Sequence, residues 1–221
     1  MKKAFTLIEL VFVIIVIGIL SAIIIPSTKT NPVKEAAVQL VSHIRYVQHL
    51  ALLDDKYGEG AKWYRKRWQI VFINSSKANY QYSYTIFSDS TKTTGDPNFN
   101  EIAKNPLNPT QIMTGGSSGG EAKLGINHPK FKGMKKLNIG MSYGITDVRF
   151  SNSCKVAKRL AFDYLGRPII GKLGAARSAG GNKKAYEADN LLKANCDITL
   201  SNGTETAVIR VTPETGYVSI L

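Results

Sequence analysis

The sequence predicts an α+β fold, in which one long N-terminal helix, its first part spanning a membrane, packs on an antiparallel β-sheet head. Three observations predict it. Residues 5–25 form an almost unbroken apolar run, and residues 33–51 carry an apolar stripe at helical spacing. Beyond residue 67 the hydrophobic period switches to two, with turn signals between the runs.

The apolar run is 21 residues long, sixteen of them Leu, Ile, Val or Phe. As a helix it spans roughly 31 Å, which matches a bilayer core. Glu9 is its one ionisable side chain. The aliphatic and Phe residues, at about −0.3 to −0.6 kcal/mol each, outweigh the roughly 2.5–3.5 kcal/mol cost of one central charge. Lys2 and Lys3 precede the run, so the start stays cytoplasmic and the rest is exported. A secretory signal peptide fits less well, because Leu20-Ser21-Ala22 is a poor cleavage site. A plain anchor gives Glu9 no purpose, and a buried core helix would have to hide every face. An intramembrane carboxylate is costly unless paired. A freshly exposed N-terminal amine at the same depth is its cheapest partner.

Asn31-Pro32 then reads as an N-cap followed by Pro at the first helical position. Val33, Ala36, Ala37, Leu40, Val41, Ile44, Val47 and Ala51 form the stripe, with Lys34, Gln39, Arg45 and Gln48 off it. This amphipathic segment, residues 26–55, is expected to continue the membrane helix with interruptions near Pro26 and Pro32 and to end at about Leu53. Residues 56–221 are the β-rich head. Strands are expected at 68–73, 80–87, 137–141, 147–150, 159–164, 196–200, 206–211 and 216–220. Asn202-Gly203 and Pro213-Glu214-Thr215-Gly216 make the last three a meander. Two stretches look irregular, 89–136 and 171–195, the second with a short helix around 185–193; loops this long are functional or disordered.

The formal charge is +13, or +11 without Lys2 and Lys3, which favours anionic partners but sets no fold. Cys154 and Cys196 are the two cysteines, and in an exported head a disulfide is the default reading. Lys62-Trp63-Tyr64-Arg65-Lys66-Arg67-Trp68 interleaves aromatic and basic residues, the chemistry that stacks bases and neutralises phosphates. Arg65, Lys66 and Arg67 would be the DNA contacts, with further basic patches at 130–136 and 155–159. The plainer reading is a loop entering a strand, with Trp68 in the core and the charges in solvent. His43 and His49 lie six residues apart, on different sides of a helix, and cannot share a metal. Residues 96–101 alternate oxygen-bearing side chains as calcium loops do, but lack the turn glycine and downstream Glu, and read as an Asx-rich loop. No nucleophile elbow, zinc cluster or phosphate loop is present, so neither an enzyme nor a cofactor or metal is expected.

Lys2-Lys3-Ala4-Phe5-Thr6-Leu7-Ile8-Glu9-Leu10 resembles the leader junction of type IV prepilins and type II secretion pseudopilins. The resemblance implies that residues 1–4 are a leader, cut between Ala4 and Phe5 by a prepilin peptidase that then methylates the Phe5 amine. It implies that Glu9 neutralises the Phe5 amine of a neighbouring subunit, and that Gly18 and Pro26 sit where such helices loosen and kink. Ala4 departs from the family's usual Gly before the cut, but it is small. Leu160-Ala161-Phe162-Asp163-Tyr164-Leu165-Gly166-Arg167-Pro168, followed by the closing meander, is similar to the H-type minor pseudopilin group. Some relatives of that group are thought to bind DNA through arginines near the C-terminus; the tail after Arg210 has no basic residue, so that role does not carry over.

The resemblance implies a pilin-like fold and a minor structural subunit of a type II secretion pseudopilus or type IV pilus. Its partners would be other pilin or pseudopilin subunits, the prepilin peptidase and the inner membrane. The chain would cross the bacterial inner membrane once with its head in the periplasm, then join a periplasmic pseudopilus or a cell-surface pilus. The alternative is a DNA-uptake pilus component whose basic head binds DNA.

Overall fold

The structure, a computed structural model, describes residues 6–27, 31–58, 63–91, 95–117, 119–155, 158–170 and 191–221. They belong to two compact units, residues 1–31 and 32–221. The expected helix at 185–193 lies, up to residue 190, outside the described residues.

In the first unit, α1 (Leu7–Ser27) is helical throughout and includes Gly18 and Pro26. Its side chains are described as far as Ser21. Among the described residues no helix is long and apolar enough to cross a membrane.

The second unit is built on α2 (Pro32–Leu53), which starts at the expected proline. Its buried residues are the eight of the apolar stripe, from Val33 to Ala51. A helix of this pattern is stable only against a partner surface, and α2 packs on strands of two antiparallel sheets. The strands are β1 (Trp68–Asn74), β2 (Tyr82–Ser88), β3 (Lys104–Asn105), β4 (Asn108–Ile112), β5 (Asp147–Asn152), β6 (Arg159–Phe162), β7 (Pro168–Ile170), β8 (Cys196–Ser201), β9 (Thr206–Val211) and β10 (Val218–Ile220). One sheet has the order β2-β1-β6-β7, the other β10-β9-β8-β5, and β3-β4 is a separate hairpin. Every pairing is antiparallel. Phe72 of β1 meets Phe150 of β5 edge to face, 5.4 Å between ring centres, so one apolar core serves both sheets.

Several expected boundaries move for local reasons. The strand expected at 80–87 begins two residues later, because Asn79 and Tyr80 take positive φ angles of 57° and 54°. The strand expected at 137–141 does not form. Lys135–Leu137 is a 3-10 turn and Ile139–Tyr143 a short helix, α3. The Asn138 side chain caps α3 by accepting from the Met141 amide at 3.0 Å, and Gly144 closes it at φ 67°. Leu137, Ile139 and Met141 imitate strand alternation, but the Asn and Gly around them set the geometry. The strand expected at 159–164 stops at Phe162, because Asp163 Oδ1 accepts from the Leu165 and Arg167 amides and turns the chain into β7. Pro168 opens that edge strand, a position where its missing N–H costs nothing.

The described residues of 89–136, expected as an irregular stretch, contribute to the core. Ile102, Ala103, Ile112, Met113, Leu124 and Ile126 are buried there. Isolated bridges Phe87 to Ile102 and Thr85 to Thr114 lay this segment along the outer edge of β2, which it shields. The glycine run is part of this packing, since a Cβ on Gly115 would lie 2.2 Å from the backbone nitrogen of Asn138. The Asx-rich loop at 96–101 ends in a capping box, in which Glu101 Oε2 accepts from the Asn98 amide and side chain, each at 2.8 Å. Burial pushes the Glu101 carboxyl up, but hydrogen bonds from Thr91 and Asn98 outweigh it and hold the group below its ordinary value.

Candidate functional site

The sequence places its functional residues in three groups, at the start of α1, at the cysteine pair and around Arg65. Ala4 and Phe5 lie outside the described residues, so the expected cleavage and methylation positions have no structural description.

At the start of α1, Thr6 and Glu9 form a reciprocal pair. The Thr6 amide donates to Glu9 Oε2 at 3.5 Å, and the Glu9 amide donates to Thr6 Oγ1 at 3.4 Å. This is a capping box, with the carboxylate accepting from the Thr6 amide, the Thr6 hydroxyl accepting from the Glu9 amide, and the negative charge complementing the helix's positive end. The signal was present in the sequence as Thr-x-x-Glu ahead of an apolar run. The amide that Glu9 reaches belongs to Thr6, the first described residue. The rest of α1 presents apolar surface on all sides. Every described side chain from Thr6 to Ser21 is exposed, including Leu7 at 82% and Phe12 at 68%. Even Val16, the least exposed of the large ones, is at 38%.

Cys154 and Cys196 are joined by a disulfide, with Cα atoms 5.2 Å apart and both residues fully buried. Cys154 follows β5 and Cys196 opens β8, two strands already paired in register. Their bond closes the connection that carries β6 and β7. The two segments that carried the second resemblance also meet. Gln48 Nε2 of α2 donates to Gly166 O at 2.7 Å and to Thr215 O at 2.8 Å, tying the β6–β7 turn and the β9–β10 turn to one helix face. Sequence reasoning put Gln48 off the apolar stripe and gave it no role.

Around Arg65 the structure separates three residues that the sequence had grouped. Arg65 and Lys66 are half-buried on a 3-10 turn, Trp63–Lys66. Arg67 is only 5% exposed, with its guanidinium 4.9 Å from the centre of the Trp63 ring. Burial lowers its pKa to about 10, with Asp163 opposing that shift, so the group stays charged at neutral pH. The sequence had Arg67 either in solvent or on DNA; it is instead a buried cation against the Trp63 ring. Trp68 is half-buried, and its indole donates to Asp54 Oδ2 at 2.8 Å.

His43, expected as an ordinary surface or core histidine, belongs to a polar chain between α2 and the sheet. The Tyr143 hydroxyl donates to Gln39 Oε1 at 2.8 Å, and Gln39 Nε2 donates to the Tyr84 hydroxyl at 2.8 Å. The Tyr84 hydroxyl lies 2.7 Å from His43 Nδ1, and a neutral ring with that nitrogen bare can accept its hydrogen. Burial lowers the His43 pKa to about 4. The unfolded chain takes up that proton near pH 6.5 and the folded one only near 4, so this contribution is full above pH 6.5 and declines as pH falls toward 4. The loss is on the order of 3 kcal/mol. Denaturant unfolding at pH 7.5 and 4.5 should show it, and in His43→Gln the same pH drop should cost clearly less stability.

Among the described residues no group of three or more His, Cys, Asp or Glu side chains is placed to hold a metal. No family model, curated protein or solved structure matches the chain.

Proposed function

We propose that the chain is a minor structural subunit of a type IV pilus-like filament, a pilin or pseudopilin with a pilin-like fold, anchored and assembled through α1. The observation that carries this reading is the apolar surface of α1, exposed on every described side. An isolated helix of this kind in water would leave far more apolar surface uncovered than a stable protein tolerates. Lipid covers it before assembly and neighbouring α1 helices cover it afterwards. Residues 32–221 form a compact unit with its own core and disulfide. It works by presenting surface, not by catalysis.

In this reading the prepilin peptidase cuts before Phe5, the chain rests in the inner membrane with its head in the periplasm, and Glu9 draws in the Phe5 amine of the next subunit. The leader junction resemblance supports these steps. The DNA-uptake alternative keeps Arg65 and Lys66 as possible contacts but loses Arg67 to the interior, and no geometry favours it over the filament reading.

Photo-crosslinking from α1 in cells tests the proposal. A photoreactive residue at Phe12, 68% exposed, should give adducts with other small membrane-anchored subunits when the host machine is expressed. Adducts with lipid alone would contradict assembly through this helix.

A further inference from the structure

Trp68 opens β1, and its indole reaches Asp54 just past the end of α2. Tyr84 of β2, paired with Phe72 further along β1, meets Gln39 and His43 nearer the start of that helix. β1 therefore runs antiparallel to α2, and the β1–β2 turn lies at the end of the head where α2 begins. α3 is at the same end. The Lys136 carbonyl accepts from Gln39 Nε2 at 3.1 Å, and a Cβ on Gly140 would lie 2.9 Å from the Gln81 Cβ. The Ser142 hydroxyl donates to the Lys135 carbonyl at 3.1 Å, which holds the 3-10 turn Lys135–Leu137 against α3.

Lys135, Lys136 and Lys158 are exposed on this end face, and among the described residues none of them is in a salt bridge. Lys158 Nζ lies 4.6 Å from the centre of the Tyr82 ring and donates to its hydroxyl at 3.1 Å, so that ammonium is held in place at the surface. Glu35, on the first turn of α2, opposes these cations; after burial, its charge is what raises the Tyr143 pKa. Tyr80, 71% exposed, and Met141, 52% exposed, add apolar surface. Lysines beside exposed aromatic and apolar side chains suit an anionic bilayer, where the cations meet headgroups and Tyr and Met settle at the interface. They also suit nucleic acid, but Met141 has no flat face to stack on a base. Connectivity favours the bilayer. Four residues separate Ser27 of α1 from Pro32 of α2, so in the proposed function, on which this inference rests, the chain passes from lipid into the head at this end.

We infer that the end face formed by α3, the β1–β2 turn and Lys158 docks on an anionic lipid surface. Lys135, Lys136 and Lys158 take the headgroups, and Tyr80 and Met141 enter the interface. Docking holds the head of the unassembled subunit on the bilayer, and its extraction into a filament has to break that contact.

The full chain reconstituted in phosphatidylcholine vesicles, with or without about one third phosphatidylglycerol, tests the inference. Flotation shows whether the chain is embedded; a chain that does not float contradicts the anchored reading and this inference with it. In a floating chain, labelling by a membrane-impermeant amine reagent is read lysine by lysine by mass spectrometry. Lys135, Lys136 and Lys158 should label about threefold or more slowly in anionic than in neutral vesicles, while Lys104, exposed on β3, labels equally in both. Tyr80→Ser with Met141→Ser should lose about half of that protection or more, although every lysine remains, which separates docking from diffuse charge attraction. Equal labelling in the two vesicles by a chain that floats would overturn the inference and leave the anchored reading standing. Full protection in the double variant would also overturn it. Stronger protection of the same lysines by duplex DNA in neutral vesicles would assign the surface to nucleic acid and overturn it as well.

Discussion

Replacing Glu9 with Leu is expected to leave the chain inserted and processed but to cut its recovery in filaments by about tenfold or more, a loss of ~1.4 kcal/mol or greater. Glu9 is the one expensive group in the apolar run, so its removal makes insertion equal or better. Assembly is different, because in the proposed filament each Phe5 amine would have to enter an apolar helix bundle. A charge left unpaired there costs several kcal/mol at every docking step. The capping box adds a second role that the same variant would remove, since Glu9 also caps its own helix through Thr6. Glu9→Gln separates the two. Glutamine keeps the reciprocal cap but not the charge, so charge pairing predicts that Gln fails nearly as badly as Leu. If Gln assembles normally and Leu does not, Glu9 acts only as a cap. If both assemble normally, the pairing mechanism is wrong.

The second large effect is expected at the disulfide. Cys154 and Cys196 are 42 residues apart, and closing a loop of that length is worth about 4 kcal/mol in the chain-entropy account. Domains of this size are stable by only about 5–15 kcal/mol. Cys154→Ala with Cys196→Ala should therefore lower the unfolding midpoint of the head by about 10 °C, allowing about 2–4 °C per kcal/mol for its length. Tryptophan emission reports the transition, because Trp63 and Trp68 both lie in the head. The wild-type protein with its disulfide reduced should melt at the same lower temperature. Equal midpoints for the oxidised protein and the double variant would show that β5 and β8 hold without the bond.

Some of this was legible in the residues and some was not. α2 was legible to the residue, because a helix with one buried face prints its period directly, and no competing signal interrupts Val33 to Ala51. The strands with clean alternation were legible for the same reason. Strands β3, β4 and β7 were not. They are two to five residues long and contain Asn or Pro, so they depend on the edges they pair with. α3 was hidden because burial of Leu137 and Ile139 imitates a period of two over so few residues. Arg67 was misread because sequence gives the charge of a residue but not its surroundings. Its place is set by Trp63 before it and by Asp163, nearly a hundred positions away. Gln48 was missed because its two partners are backbone carbonyls, which have no signature in a sequence.

The most direct test of the filament account is the N-terminus of the mature protein. Intact mass and N-terminal peptide analysis of chain extracted from its native membrane should find Phe5 as the first residue, with a methyl group on its amine. That result would place the cut on the cytoplasmic side of the apolar run and leave α1 attached to the head. An intact Met1, or a chain beginning after Ala22, would mean a simple anchor or a removed signal segment, and would contradict assembly through α1.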